Sequence, residues 1–524
     1  MKKIILYYHT LKYLKGRQVF YRIFYFLRRI IGIKGRNIIL NKTITTEAID
    51  FPVLLQEETS YKIESNKFTF INLSHTFSER IDWNFFEHGK LWNYNLNYFN
   101  YLNQKDEIFL EEGLVVINSF ISSFDSLSSG ADPYPTSLRI INWIKFLARH
   151  KIKDKKIDDS LYNQTTYLRH NLEFHLLGNH LLENAFALVF ASCYFQDNSL
   201  FEYSKKLLVD ELNEQILSDG AHFELSPMYH QIMLFRILDT YNLLVGNDTF
   251  NKDLEQKLKS EAELMLGWLQ QISFSNGDIP LVNDSAFGIS PTTNELIEYG
   301  RKLGLNPSIV TLKESGYRKF VGRNYEVIAD VGRIGPDYIP GHAHCDALNF
   351  VMYVDGCPFI VDTGTSTYES GERRNLERST FSHNTVSFGD YEQSEMWGSF
   401  RAGRRVIPSI EYDTKDYLSA SIKYVTTTAF HKREFFKEDN VFRIIDSVKY
   451  NELALAHFFF HPNKSISLEG NDVVASNCTL HFIGSSRIVI EDYFYAPEFN
   501  KRIKAKKILV YFTAQLETII TPTV

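Results

Sequence analysis

Residues 341–350 of the chain read Gly-His-Ala-His-Cys-Asp-Ala-Leu-Asn-Phe. If this segment enters a β-strand, His342, His344 and Asp346 point to the same side, because side chains alternate along a strand. Three ionisable groups on one face of a buried strand are costly unless they pair or bind a metal ion. The segment therefore predicts a polar or metal-binding site at the start of a β-rich region.

The chain after about residue 320 has the two-residue hydrophobic period of β-strands. The predicted strands are rich in β-branched and aromatic residues, and Gly, Asp and Asn bound many of them. They cover residues 325–331, 348–354, 384–388, 418–425, 441–448, 453–460, 479–483 and 488–493. Helices of comparable length do not intervene, which favours an antiparallel sandwich over a parallel sheet.

The chain before this region has a helical period. Between about residues 100 and 310, apolar residues recur at three- and four-residue spacing, as over 199–217, 229–245 and 254–272. Asp and Asn near the helix starts are expected to cap them. Successive amphipathic helices with short connections predict a bundle, a solenoid or a toroid. The period changes near residues 305–322, so we expect a helical domain over 37–315 and a β domain over 316–524.

The size and composition are those of a multidomain globular protein. A chain of 524 residues is too long for one hydrophobic core. The aromatic share of 15% suits both sugar-binding surfaces and large cores, so composition does not select a function. The net charge of −6 argues against a nucleic-acid-binding protein, which usually has a basic excess. Four scattered cysteines predict reduced thiols: Cys193, Cys345, Cys357 and Cys478.

Residues 1–36 form a basic, aromatic segment with ten Lys or Arg and no acidic residue. One interpretation is peripheral contact with an anionic membrane. The other is a helix that packs Ile4, Tyr7, Leu11 and Leu14 on the helical domain and turns its basic face to water. Basic residues interrupt any signal-peptide-like apolar run, and no spanning segment is expected. We therefore predict a cytoplasmic protein, with the inner membrane surface as an expected place of action.

Two polar segments open predicted helices in the helical domain. Gly178-Asn179-His180 precedes an apolar helix, where the pair could cap the helix or bind a loop, or belong to a site. Ser226-Pro227-Met228-Tyr229-His230 places Pro in a first helical turn. Because the positive end of the helix dipole favours anions, we expect a lowered pKa for Tyr229 that suits proton transfer. Tyr and His at such positions are more often structural.

Two further segments in the β domain complete a metal-ligand pattern. They are Val361-Asp362-Thr363-Gly364 and Phe381-Ser382-His383-Asn384-Thr385-Val386. Two His and one Asp from neighbouring strands make an ordinary zinc set without Cys.

Together these motifs resemble the heparinase II/III family of polysaccharide lyases over about residues 80 to 460. Two N-terminal stretches add to the resemblance, Leu-Trp-Asn-Tyr-Asn-Leu at 91–96 and Tyr-Pro-Thr-Ser-Leu-Arg-Ile-Ile-Asn-Trp at 134–143. The family implies an N-terminal (α/α) toroid, a C-terminal antiparallel β-sandwich and an active site between them. It implies β-elimination of an acidic, uronate-containing polysaccharide as the activity.

The resemblance also implies roles for individual residues. Asn179, with His180, would bind and neutralise the substrate carboxylate. Tyr229 would protonate the glycosidic oxygen, and would also be the base for one substrate stereochemistry. His342 would be the base for the other stereochemistry.

Two further groups follow from the resemblance. A structural Zn²⁺ would be bound by three residues: His344, Asp362 and His383. Three arginines are candidates for contacts with substrate anions, since Arg binds carboxylate and sulfate in a bidentate manner: Arg139, Arg374 and Arg378. The alternative for each arginine is an ordinary surface ion pair.

Other functions stay open at the level of sequence. A uronate epimerase would remove the same proton and return it to the opposite face. A non-catalytic glycan-binding protein would use the same cleft without chemistry. A third possibility is a scaffold for capsule or lipopolysaccharide assembly at the membrane. The joint presence of Asn179, Tyr229 and His342 disfavours pure binding, which requires none of them. The sequence does not select an oligomeric state.

Overall fold

The computed structural model describes residues 2–31, 46, 49–247, 252–475 and 477–523. Within them lie twelve α-helices: α1 Lys2–Leu11, α2 Gly16–Ile30, α3 Gly89–Tyr98, α4 Leu110–Ser123, α5 Pro133–His150, α6 Lys155–His170, α7 Gly178–Tyr194, α8 Asn198–Gln215, α9 Pro227–Gly246, α10 Lys252–Ile272, α11 Thr293–Lys302 and α12 Glu372–Glu377. None of the described helices combines the length and apolar character that crossing a membrane requires.

Several helices of the helical half begin where a polar side chain satisfies free backbone N–H groups. Asp154 and Asp197 cap α6 and α8, as the pattern of Asp and Asn predicted. Thr292 and Glu295 form a capping box at α11. Helix α7 is buried on every side, and His180 is its only partly exposed residue. A helix buried all round belongs at the centre of its domain.

The β half contains most of the strands, and every pair between named strands is antiparallel. Three strands of the helical half are β1 Tyr61–Lys62, β2 Lys67–Phe70 and β3 Leu73–Thr76. The others are β4 Tyr317–Val321, β5 Tyr325–Asp330, β6 Asn349–Val354, β7 Cys357–Ile360, β8 Val386–Phe388, β9 Met396–Trp397, β10 Arg401–Ala402, β11 Ser409–Asp413, β12 Tyr417–Lys423, β13 Phe430–Lys437, β14 Phe442–Lys449, β15 Ala454–Phe459, β16 Ile466–Glu469, β17 Asp472–Ala475, β18 Cys478–Ile483, β19 Arg487–Glu498, β20 Lys501–Phe512 and β21 Gln515–Pro522.

The main sheets have the orders β11-β12-β13-β14-β21-β18-β17-β16, β19-β20-β15-β8 and β4-β5-β6-β7. All eight predicted strands are present, with shifted ends. The pattern missed the other ten strands of the β half. The longest of these is β20, whose first half is largely exposed and whose lysines hide the alternation. The small sheet β1–β3 was not predicted either. Its strands have only two to four residues, too few to show a period.

The two halves pack through a shared apolar core. The rings of Phe274, which follows α10, and Tyr353 in β6 are parallel with centroids 3.7 Å apart. Ile328 and Val351 of the β half belong to the same buried cluster as the helical side chains. This close packing fixes one half relative to the other and defines the cleft in which the polar segments meet.

Candidate functional site

His342 lies in the cleft between the halves, with 11% of its side chain exposed. Its Nδ1 lies 2.9 Å from Asp284 Oδ2, and its Nε2 lies 3.4 Å from Glu224 Oε2. Residues 341–348 form a loop before β6, so the predicted alternation of His342, His344 and Asp346 along a strand is wrong. A loop can instead turn successive side chains toward separate partners.

Asp284 is the fully buried centre of this network. Its carboxylate binds Nδ1 of His342 and, at 2.9 Å, Nε2 of His344. The Arg374 guanidinium contacts both of its oxygens, with Nη2 donating to Oδ2 at 2.7 Å. Burial alone would raise the pKa of Asp284, but Arg374 and the two histidines outweigh burial and hold it well below its ordinary value. Asp284 is therefore a permanent anion that orients the His342 ring.

Tyr229 lies in the first turn of α9, where Ser226 caps the helix. Its ring packs on His342 with centroids 3.9 Å apart, and its hydroxyl lies 3.3 Å from the Tyr368 hydroxyl. Burial, Tyr368 and the nearby carboxylates raise the pKa of Tyr229 well above its ordinary value. The expectation of a lowered pKa at the helix N-terminus is therefore wrong, because desolvation and negative neighbours outweigh the helix dipole.

Asn179 and Glu224 form a buried pair opposite His342. The backbone N–H of Asn179 and its side-chain Nδ2 both donate to Glu224, with Nδ2 3.0 Å from each carboxylate oxygen. The two oxygens lie on one side of Nδ2 while its two N–H bonds diverge, so the second N–H is directed away from Glu224. Gly178 permits this approach, since a Cβ there would lie 2.8 Å from Glu224 Oε1.

His180 extends the polar wall beyond Asn179. Its side chain is 30% exposed, and Nδ1 lies 3.0 Å from Oε1 of the buried Glu173. Burial alone would lower the pKa of His180, but the Glu173 carboxylate outweighs burial and raises it. The Tyr134 ring lies beside the imidazole, with centroids 4.6 Å apart. His180 is therefore a cleft-facing group that favours a positive charge.

Left-handed backbone conformations cluster around these side chains. Leu177, Leu225, Asn283 and Leu348 all have φ between 53° and 65°. Branched Leu residues seldom adopt such values, and residues of this kind concentrate at functional sites. The first three directly precede or follow Gly178, Glu224 and Asp284, so the backbone is bent where the site residues are placed.

Two family sequence profiles match the two halves of the chain. The profile "Heparinase II/III N-terminus" matches residues 137–300, and "Heparinase II/III-like, C-terminal" matches residues 305–521. The chain belongs to the heparinase II/III-like family.

Two relatives are similar to part of the chain. A heparin-sulfate lyase from Bacteroides stercoris is 26% identical over 242 residues, which cover 41% of this chain and 36% of that protein. FtsZ-localized protein C from Caulobacter vibrioides is 25% identical over 259 residues, 48% of this chain and 42% of that protein. The matched region thus spans well under half the length of these relatives.

A solved structure confirms the predicted fold. The crystal structure of a heparinase III covers 91% of this chain and 88% of its own, with a TM-score of 0.66 and 15% identity. The heparinase II/III-like chain is therefore an N-terminal (α/α) toroid followed by an antiparallel β-sandwich.

The predicted zinc ligands lie close together but do not share a common centre. Nδ1 of His383 lies 2.8 Å from Asp362 Oδ2, while His344 bonds to Asp284. Among the described residues, no group of three or more His, Cys, Asp or Glu side chains is arranged to hold a metal ion. Zinc binding therefore stays a prediction.

Two of the predicted zinc ligands, His344 and His383, nevertheless keep a buried nitrogen for a metal ion, although the Asp362 carboxylate outweighs burial and raises the pKa of His383. The rings of His344 and His383 lie 5.3 Å apart, and each has one buried nitrogen without a hydrogen-bond partner, Nδ1 and Nε2 respectively. Burial lowers the pKa of His344 to about 4, so its imidazole is neutral, as a metal ligand requires. A buried unpartnered oxygen, Oδ2 of Asp346, belongs to the same loop as His344. Unpartnered buried polar atoms are rare in native proteins.

The three predicted substrate-binding arginines are fully buried, so none of them forms a surface ion pair, and their contact with substrate anions stays a prediction. Arg139 donates within the toroid to Asn97, Gly130, Thr136 and Gln164.

The other two arginines shape the site from behind. Arg374 neutralises Asp284, and Arg378 donates to the Ala343 carbonyl at 2.9 Å and the Ser399 carbonyl at 3.0 Å. Both therefore hold the loop and carboxylate that position His342, without facing the cleft.

The sequence patterns missed the acidic residues that organise the site. Glu224 lies between Phe223 and Leu225, whereas Asp284 lies between the polar Asn283 and Ser285, so only Glu224 stands among apolar neighbours. An isolated acid in an apolar run is a signal of a buried pair. Tyr368 and Phe400, whose rings are 5.3 Å apart beside His342, had no such signal.

Proposed function

We propose that this heparinase II/III-like protein cleaves uronate-containing acidic polysaccharides by β-elimination. The observation that carries the proposal is His342, which is oriented by a buried carboxylate and stacked on Tyr229 in the cleft. An imidazole held through Nδ1 presents Nε2 for proton transfer, and a phenol lies directly beside it. Binding without chemistry does not require this arrangement.

The first step is removal of the proton on the uronate carbon next to the carboxylate. His342 Nε2 accepts that proton once substrate displaces its 3.4 Å contact with Glu224. Negative charge then develops on the substrate carboxylate. The second N–H of Asn179 and His180, whose pKa is raised by Glu173, stabilise that charge. Such preorganised donors supply the largest share of catalysis in many enzymes.

The second step is departure of the glycosidic oxygen from the neighbouring carbon. Tyr229 is protonated at neutral pH because its pKa is raised well above the ordinary value. Its hydroxyl can donate a proton to the leaving oxygen, and the Tyr368 hydroxyl 3.3 Å away holds it in place. The C–O bond breaks as the C=C bond forms, so the product has an unsaturated, ultraviolet-absorbing uronate.

The test is an ultraviolet assay on a panel of glucuronate-, iduronate- and mannuronate-containing polysaccharides, sulfated and unsulfated. Tyr229→Phe and His342→Ala should lose nearly all turnover and still fold. Matched controls are Tyr412→Phe and His481→Ala, which alter exposed residues of the β half. Equal activity in the site variants and their controls would refute the assigned roles.

The epimerase alternative uses the same proton abstraction and is an outcome of the same experiment. In deuterated water, an epimerase would place deuterium on the uronate carbon of uncleaved chains without ultraviolet absorbance. Substrate binding with neither absorbance nor deuterium would indicate a non-catalytic glycan-binding protein.

We propose that a structural zinc ion is held by His344, Asp362 and His383. When bound, it would tie together the loop before β6, the segment after β7 and the loop before β8. The unpartnered buried nitrogens of His344 and His383 support this proposal.

We propose a reducing, cytoplasmic location and a role in capsule or lipopolysaccharide assembly. All four cysteines are free thiols, which suits a reducing compartment. Capsular and lipopolysaccharide glycans therefore belong in the substrate panel. If the protein cleaves neither glycan by β-elimination, the proposed role is contradicted.

A further inference from the structure

The helix pair, α1 with α2, exposes an unusual amount of apolar surface. Of the 32 large apolar side chains that are exposed in the described residues, 13 lie between residues 4 and 31. Ile4, Leu11, Phe20 and Ile30 are each more than half exposed, at 72%, 60%, 61% and 66%. Ile4 and Leu11, two of the four side chains expected to pack on the helical domain, are therefore largely exposed instead. Apolar surface this concentrated marks an interaction site.

The inner face of the helix pair is firmly attached to the protein. The buried Gln18 donates to the Leu176 carbonyl at 3.0 Å and to the Tyr338 carbonyl at 3.3 Å. Trp397 Nε1 donates to Thr10 at 3.0 Å. These contacts join α1 and α2 to both halves of the molecule. The exposed apolar side chains thus form the outer face of a helix pair whose inner face is bound to the rest of the protein.

The charge of this segment matches an anionic surface. Residues 2–31 contain eight Lys or Arg and no acidic residue, and residues 32–36, with two more, lie outside the described residues. Lys3, Lys12, Arg22 and Arg29 are exposed among the apolar side chains. Long basic side chains can extend from an apolar layer to lipid headgroups. Nucleic acid would match the charge without needing the apolar residues.

We propose that the outer face of the helix pair docks on an anionic lipid bilayer. Interfacial helices lie in the plane of the membrane, with apolar side chains among the acyl chains and basic ones at the headgroups. The 15 residues of α2 are fewer than the roughly 20 that a spanning helix needs, so α2 would lie on the surface.

Docking would place the cleft beside the bilayer. Tyr338, which accepts from Gln18, directly precedes Ile339, whose side chain lies next to Gly178 at the start of α7. Trp397 and Phe400 belong to one hairpin, and Phe400 lies near His342 in the site. The helix pair is thus seated on the elements that border the cleft.

The experiment is sedimentation of the full chain with phosphatidylcholine vesicles, with and without phosphatidylglycerol. We expect pelleting only with phosphatidylglycerol at low salt, and release at high salt, because salt screens the attraction to the headgroups. Protein that stays in the supernatant at low salt would overturn the proposal.

Two variants separate the apolar and basic contributions. Phe20→Ser with Ile23→Ser and Ile30→Ser should lose pelleting, whereas Phe86→Ser with Phe109→Ser and Ile309→Ser, exposed apolar residues elsewhere, should keep it. Lys3→Gln with Lys12→Gln and Arg29→Gln should also lose it, and Lys62→Gln with Lys151→Gln and Lys504→Gln should not. Retained pelleting in the apolar variant would refute insertion.

Light scattering without vesicles tests whether a second copy of the chain, rather than a bilayer, covers the outer face of the helix pair. A dimer of the intact chain that becomes a monomer in the apolar variant would show that a second copy covers this face, and would overturn the proposal. None of the changed residues lies in the cleft network, so activity on a soluble polysaccharide should not change. Failure of the lyase proposal is therefore distinguishable from failure of membrane docking.

Discussion

Asp284 shows how one residue can organise the site. Its carboxylate contacts the proposed base His342, the proposed zinc ligand His344 and the buried Arg374. A carboxylate bound to one imidazole nitrogen fixes the ring and directs the other nitrogen outward. Because Arg374 is fully buried, Asp284 is also its charge partner. Orientation of the base and neutralisation of a buried cation therefore depend on the same group.

We predict that Asp284→Asn lowers the free energy of unfolding by about 3–5 kcal/mol, because it leaves Arg374 buried without a countercharge. Denaturant unfolding measures the loss. The control Asp492→Asn breaks an exposed pair with Lys506 and should change the unfolding midpoint little. Equal unfolding midpoints for the two variants would show that the Asp284 charge does not contribute to the free energy of unfolding.

Glu173 sets the charge of His180 and so gives a prediction about pH. Glu173 raises the pKa of His180 above its ordinary value, so the positive charge is present at low pH and is lost as pH rises through that raised pKa. If His180 helps bind the substrate carboxylate, KM should rise along the same pH range.

Glu173→Gln keeps the shape of the side chain and removes its charge. The pH at which KM rises, and the NMR titration of His180, should both move to lower pH. The exposed control Glu298→Gln should leave both unchanged. An unmoved NMR titration in Glu173→Gln would exclude this electrostatic control.

At the scale of elements, the site is built from loops at the ends of helices and strands. The proposed zinc ligands come from the loop before β6, the segment after β7 and the loop before β8. Loops lack the regular backbone hydrogen bonds of helices and strands. A metal ion can supply that constraint, and its binding energy then adds to folding stability.

We predict about one zinc ion per purified chain, since two His and one Asp suit a zinc site. His344→Ala and His383→Ala should lose the metal and unfold at lower temperature, whereas the surface control His481→Ala should not. Elemental analysis and thermal unfolding measure these effects independently of activity. Folded protein that stays metal-free after incubation with zinc would contradict the prediction.

At the scale of the whole molecule, the two halves are expected to unfold together. The apolar cluster of the toroid includes Ile328 of β5, Val351 of β6 and Val361, which follows β7. Phe274 stacks on Tyr353 across the boundary between the halves. Interfaces within a chain permit domain motion unless they are large and apolar. Here the shared core opposes domain motion and keeps the cleft residues of the two halves in fixed positions relative to each other.

We predict that Phe274→Ala destabilises both halves by about 3–5 kcal/mol, because it removes a buried ring from their shared core. Calorimetry should show one transition at lower temperature. Hydrogen exchange should increase in peptides from the toroid and the sandwich alike. The exposed control Phe86→Ala should change neither measurement. Two separate transitions, with only one shifted, would show that the halves unfold independently.

The sequence by itself determined the two-part architecture and the segments that carry the polar residues. Hydrophobic period is a local property, so the helical region and all eight predicted strands could be identified without knowing their partners. The Tyr229 and His342 motifs were likewise recognisable from neighbouring residues. The roles of these residues and the zinc ion remain predictions, since they depend on chemistry that neither sequence nor fold tests.

Only the tertiary structure decided which charges face each other. Asp284 and Arg374 are 90 residues apart, and no spacing rule joins them. The same is true of Asn179 and Glu224, which are 45 residues apart. Burial in the cleft reversed the expected direction of the Tyr229 pKa, and Arg139, Arg374 and Arg378 are buried where surface ion pairs had been the alternative. Desolvation and pairing depend on every element packed around a group, which is why local sequence could not specify them.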